Sequence, residues 1–134
     1  MAVSSYEKLD VWQESINLVT EVYSAVKLLP KEELYALSDQ IRRAAVSIPS
    51  NIAEGQQRQS TKDFLKFLWI AEGTLGELKT QVIICGRLGY LNAEKTKQLE
   101  NKCDQVGRMI SGLMRSIVAK QQQNTSNQPP DTCN

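Results

Sequence analysis

The side chains able to do chemistry here are carboxylates, cysteines, bases and aromatics, because the chain contains no histidine. Its commonest general base and metal ligand is therefore missing, and Ser-His or Cys-His catalysis is excluded. Glu14, Glu21, Glu54, Glu72 and Glu77 invite a di-metal reading. Bundle sites of that kind draw on Glu-x-x-His pairs aimed inward, and these acids fall mostly off the apolar stripes, so they read as a solvated face. Cys85 and Cys103 occupy stripe positions that suit buried thiols. In an antiparallel hairpin their heights differ by roughly 9 Å, too far for a disulfide. Cys133, the third cysteine, lies in a polar segment without an activating neighbour, and an odd count gives no disulfide framework. No catalytic residue, metal ligand or cofactor site is assigned, and the expected protein is not an enzyme.

Sixteen basic against fifteen acidic residues leave a net charge of +1, far from that of a protein that coats nucleic acid by charge alone. A local patch stays open, and its candidate residues are Arg42, Arg43, Arg58, Lys62 and Lys66. The first two open the second helix, whereas the other three gather at the opposite end. A symmetric oligomer would repeat either group around a ring, and binding would then be strongly salt-dependent. Trp12 falls on an apolar stripe and is expected in the core. Trp69 falls beside its stripe, with Leu65, Ile83 and Ile84 crowding the same flank. A subunit interface is the preferred reading of that surface, and a base-stacking platform is the alternative.

These residues must be carried by helices, because no segment alternates as a strand would. The first helix is expected over residues 11–29. Leu9, Trp12, Ile16, Val19, Tyr23 and Val26 form one stripe, and Val11, Leu18, Val22, Ala25 and Leu29 a second beside it. The doubled stripe is wider than one core contact needs, which makes Leu18 and Val22, with Trp69, candidates for a subunit interface. Asp10 with Gln13 reads as the capping box. The second helix is expected over 38–55, capped by Ser38, with Ile41, Ala44, Ile48 and Ile52 buried and a kink near Val46 caused by Pro49. Asn51 is then a candidate partner for the carbonyl that the proline frees. The third helix, over 61–88, opens on Ser60 and Asp63. It carries Gly73 and Gly76 in its interior, where each costs about 1 kcal/mol against alanine, so a neighbouring helix is expected to approach closely there. Gly89 ends it, and Asn92 caps a fourth helix over 93–120. Residues 121–134 are expected to form a disordered polar tail.

Four such helices with short connections predict one all-α domain over residues 1–120, an antiparallel up-down-up-down four-helix bundle. No apolar run approaches the ~18 residues of a membrane span, and residues 1–9 lack the apolar core of a secretory signal. A reducing cytoplasm is the expected compartment.

The segment LSDQIRRAAVSIPSNIAEG, residues 37–55, resembles the four-helix-bundle proteins encoded within intervening sequences of bacterial 23S rRNA genes. LDVWQES (9–15), KDFLKFLWIAEGTLGELKTQ (62–81) and LGYL (88–91) are similar to the same family, and the resemblance spans about residues 5–118. It implies a bundle that assembles as a ring-like homopentamer, so a second copy of the chain is the expected partner. The family also includes the accessory variability protein of diversity-generating retroelements. The resemblance thus implies RNA or DNA and a reverse transcriptase as further partners, with Arg42, Arg43 and Arg58 in or beside the shared motif. That subgroup is distinctly basic, and this chain is nearly neutral.

Overall fold

The computed structural model describes residues 5–127. Four helices follow in order: α1 (Asp10–Val26), α2 (Leu37–Gln57), α3 (Thr61–Arg87) and α4 (Ala93–Asn127). Short 3-10 turns at Ser5–Lys8 and Lys31–Glu33 precede α1 and α2. Backbone contacts run α1 to α2, α2 to α3, α3 to α4 and α4 back to α1, whereas the diagonal pairs make no close approach. That is the antiparallel four-helix bundle the hydrophobic spacing predicts. Leu18, Ile48, Ile52, Leu68, Leu78 and Ile110 sit fully buried at its centre, so every helix contributes to one core.

The two stripes of α1 take roles opposite to those expected. Leu18 and Val22 are buried in the chain's own core, at 0% and 1% exposure, and cannot be offered to a second copy. Trp12 and Val19 are only half-buried and Tyr23 is exposed. The buried line runs through Val11, Ser15, Leu18, Val22 and Ala25. Ser15 is tolerated there because its hydroxyl donates to the Trp12 carbonyl at 2.7 Å, so this side carries no unmet polar group. A serine at that position conceals the true core line in the sequence.

The caps divide in the same way. Ser60 Oγ accepts from the Asp63 amide at 3.0 Å and Asn92 Oδ1 from the Lys95 amide at 2.7 Å. Gly89 adopts φ +79°, and the following Tyr90 amide donates to the Cys85 carbonyl at 2.9 Å, the left-handed closure that glycine allows. Asp10, however, is the first residue of α1, not its cap, and Gln13 Nε2 donates instead to the Glu7 carbonyl at 3.1 Å. Ser38 lies buried inside the first turn of α2, behind an Ala36 cap that makes no side-chain hydrogen bond. α2 continues through Pro49 as one helix. Asn51 Nδ2 donates to the Ser47 carbonyl at 2.8 Å and to Ser47 Oγ at 2.9 Å, not to the carbonyl of Ala45 that the proline leaves free. α4 runs past residue 120 through Asn127; residues 128–134 of the expected tail lie outside the described residues.

Among the glycines, Gly55 and Gly86 are the ones packed tightly against a neighbouring helix. A Cβ on Gly55 would stand 2.7 Å from Phe67 Cβ and 3.1 Å from Phe64 Cδ1, and one on Gly86 would stand 2.8 Å from Thr96 Oγ1. Gly73 and Gly76 have nothing within 4 Å of that position. The partner expected for these two glycines is not a helix of this chain. Because Phe67 Cβ is fixed to its own backbone, Gly55→Ala must push α2 and α3 apart. Overpacking of this kind costs about 1–3 kcal/mol, and thermal unfolding of that variant should show the loss.

Candidate interaction surface on α3 and α4

The apolar line that buries α3 runs through Leu68, Ala71, Leu75, Leu78, Val82 and Cys85. Residues a third to a half of a turn away must therefore face outward. They are Trp69, Ile70, Gly73, Gly76, Thr80, Ile84 and Leu88, all exposed, with Trp69 at 64%, Leu88 at 56% and Ile84 at 41%. Thr80 Oγ1 donates to the Gly76 carbonyl at 2.8 Å and the half-buried Thr74 Oγ1 to the Ile70 carbonyl at 2.9 Å, so these hydroxyls turn back to their own helix. Exposed Glu77, one residue after Gly76 and one turn beyond Gly73, lies within this face and accepts from Gln81 Nε2 at 3.4 Å. From Trp69 to Ile84 the outer face is thus mainly apolar or small, large at both ends and without side chains at Gly73 and Gly76, with the exposed Glu77 carboxylate beside them.

Where the stripe reaches the start of α3, a groove of about 540 Å³ opens between α3 and α4. Leu65 and Trp69 form one wall and Met114, Val118 and Ala119 the other, with Arg115 on the rim. At its floor Ser111 Oγ donates to Glu72 Oε1 at 2.8 Å. A shallower depression beside it joins Lys62, Lys66, Trp69 and Ile70 to Gln121. The two walls are held in register by Lys79, whose Nζ donates to Asp104 Oδ1 at 2.8 Å across α3 and α4. That hydrogen bond raises the pKa of Lys79 above its ordinary value. On the other side of α4, Lys102 Nζ donates to Glu14 Oε2 at 2.6 Å, which holds the Glu14 carboxyl below the usual range.

The five basic candidates separate. Arg42 donates to the Leu34 carbonyl at 3.3 Å, and the exposed Arg43 pairs with Asp39 at 3.0 Å. Arg58 pairs with Glu54 at 2.9 Å and lays its guanidinium 5.1 Å from the centre of the Phe67 ring. Only Lys62 and Lys66 are brought together, on the same groove as Trp69. Met114, Val118 and Ala119 carried no functional reading from sequence. Met114 continues the buried line from Ile110, and Val118 and Ala119 follow it at a spacing of four and five on the exposed side. Among the described residues no group of three or more histidine, cysteine or acidic side chains is placed to hold a metal. Among the described residues no helix is long and apolar enough to cross a membrane.

The bundle, with its motif-bearing α2 and α3, falls within one known family: the 23S rRNA-intervening sequence protein family matches residues 7–112. The chain belongs to that family. A crystal structure at 1.70 Å resolution of a protein with unknown function from the S23 ribosomal protein family of Bacteroides thetaiotaomicron VPI-5482 has a similar fold. It aligns with a TM-score of 0.73 and 25% identity, covering 78% of this chain and 97% of that one. No curated protein matches the chain. The outer stripe of α3 lies inside the matched residues of this family member, whereas the α4 wall of the groove, from Met114 onward, lies beyond them.

The thiols of the family member are shielded from chemistry. Burial, with the Glu33 carboxylate adding to it, pushes Cys85 up to about 11. Burial, with Asp104 adding to it, pushes Cys103 up to about 12. Almost none of either is thiolate at pH 8, and only the thiolate is nucleophilic. A Cys133→Ser chain should therefore release no colour from a disulfide-exchange thiol reagent at pH 8 until denaturant is added, when two thiols per chain react. Fast reaction in the folded state would contradict this.

Proposed function

We propose that the protein is a non-enzymatic cytoplasmic scaffold that works by assembling with copies of itself through the outer face of α3, in a ring of five as the family resemblance implies. The observation that carries this reading is the bare middle of that face. Gly73 and Gly76 each destabilise a helix by about 1 kcal/mol relative to alanine, and nothing in the chain occupies the space above them. Flanked by exposed Trp69, Ile70 and Ile84, they fit a site where another helix comes close. Exposed apolar side chains gathered on one face, rather than scattered singly, mark a site of interaction.

Native mass spectrometry of the full chain at micromolar concentration tests the reading, with a pentamer as the expected species. Gly73→Ala combined with Gly76→Ala separates the two explanations for the glycines. Added methyls with open space around them should stabilise the isolated chain by up to about 2 kcal/mol in total while weakening assembly. A variant that gains thermal stability and still assembles as the parent does would show that the glycines do not serve a contact.

A second reading is favoured by the placement of Lys62 and Lys66 around Trp69. Single-stranded nucleic acid could lie there, stacking on the indole with its phosphates near the lysines. A salt series of binding to RNA tests it. Affinity should be greatest near ~50 mM salt and fall steeply as salt rises, and Lys62→Ala with Lys66→Ala should flatten the slope. No binding at low salt would dismiss it.

A further inference from the structure

The groove between α3 and α4 does not end at its Glu72 floor. It runs on along the two helices into a second hollow of about 310 Å³, lined by Gly76, Lys79, Asp104, Gly107 and Arg108. The walls of the whole trough carry Lys62, Lys66, Lys79, Arg108 and Arg115 against Glu72 and Asp104. Glu100 acts on Lys79 from just beyond it. Five basic against three acidic side chains leave a surplus of two, larger than the +1 of the entire chain. Among the described residues Lys62, Lys66, Arg108 and Arg115 enter no ion pair. Arg108 and Arg115 are seven residues apart and so share one side of α4, roughly 10 Å apart along its axis. Unpaired cations along a trough, with an exposed indole at one end, combine a track for phosphates with a platform for a base.

We propose that the trough seats a guanine of a single-stranded nucleic acid, stacked on Trp69 with its pairing edge on the Glu72 carboxylate. The inference rests on the nucleic-acid reading and names the base that the site selects. The floor decides which base that is. Ser111 Oγ donates to Glu72 Oε1 at 2.8 Å and holds the carboxylate in place. That bond engages one oxygen and leaves Oε2, with the second lone pair of Oε1, to accept. A carboxylate only accepts, so it suits a base edge that offers donors side by side. Guanine presents N1–H and N2–H together and satisfies both oxygens at once. Adenine and cytosine set one amino group beside a bare ring nitrogen, and uracil sets its N3–H between two carbonyls. Each of these turns an acceptor toward the carboxylate. Leu65 and Trp69 on one side, with Met114 and Val118 on the other, give the ring apolar walls. The phosphates then lie toward Lys62, Lys66 and Arg115, and the strand continues along Arg108. Gly73, Glu77 and Ile84 line none of these hollows, so a copy packed along them leaves the trough open.

Fluorescence anisotropy of the full chain at ~50 mM salt, where electrostatic affinity is greatest, tests it with four labelled RNA decamers. Each is uridine throughout except at one central position, which is uridine, guanosine, adenosine or cytidine. The guanosine decamer should bind about tenfold more tightly than the other three, the discrimination that one good bidentate contact supplies. Glu72→Gln keeps an acceptor for Ser111 but puts a donor where guanine needs the second acceptor, so the four decamers should then bind nearly alike. Arg108→Ala with Arg115→Ala should weaken all four equally and lower the slope of log affinity against log salt by about 1.4. Both arginines are exposed and Glu72 is half-buried, and circular dichroism checks that each variant stays helical. Equal binding of the four decamers by the parent overturns the guanine seat and leaves the nucleic-acid reading standing. So does a folded Glu72→Gln chain that keeps the guanosine preference or loses affinity for all four. Guanosine monophosphate that binds as tightly as the guanosine decamer overturns the single-stranded occupant. Absence of binding to any decamer overturns both the inference and the reading on which it rests.

Discussion

At Gly55 the α2 backbone lies so near α3 that a single added carbon would fall 2.7 Å from Phe67 Cβ. That contact fixes how the two central helices meet. It forces a turn of only residues 58–60 between them, places Ser60 where its hydroxyl can cap α3, and lets the Arg58 guanidinium rest over the Phe67 ring. With α3 set in rotation by this approach, Leu68, Ala71 and Leu75 point into the core. Trp69, Ile70 and Gly73 are then left outside. The surface on which the functional reading depends is thus a consequence of packing on the opposite side of the same helix.

Two kinds of glycine follow from that geometry. Gly55 and Gly86 are required by neighbours inside the chain, whereas Gly73 and Gly76 face open space. In a helix interior glycine is unfavourable through the backbone freedom it loses on folding, so the second pair is a standing loss for the isolated chain. A copy of α3's outer surroundings supplied by another subunit would give the pair a use. The hydroxyls of Thr74 and Thr80, turned back to their own helix, add little desolvation penalty to such contact, whereas the exposed Glu77 carboxylate beside them needs a partner in it.

Much of the fold was legible because its signals are local. The stripes of α2, α3 and α4, the Ser60 and Asn92 caps and the left-handed Gly89 depend on residues within a turn or two of each other. What the sequence concealed depends on tertiary context. Ser15 is polar by type yet buried, because its hydroxyl is satisfied one turn back, and counting only apolar residues sent Leu18 and Val22 to the surface. Asp10 and Ser38 have the chemistry of caps but lie inside the helices, where the preceding 3-10 turns carry the chain in. Gly73 and Gly76 announce a close neighbour, but spacing cannot tell whether it lies in the same chain. Trp69 was placed correctly by its offset from the core line. The α4 wall of the groove lay within the expected fourth helix but was missed because the groove exists only where that helix packs beside Leu65 and Trp69 of α3.

Whether the outer face of α3 is covered by another copy can be read from Trp69 itself. In a Trp12→Phe chain the remaining indole is the sole tryptophan, 64% exposed when the chain is alone. Assembly through α3 predicts emission that is blue-shifted and poorly quenched by iodide at high protein concentration, moving to the red with full quenching on dilution. Emission that stays red and fully quenched at every concentration would contradict the account.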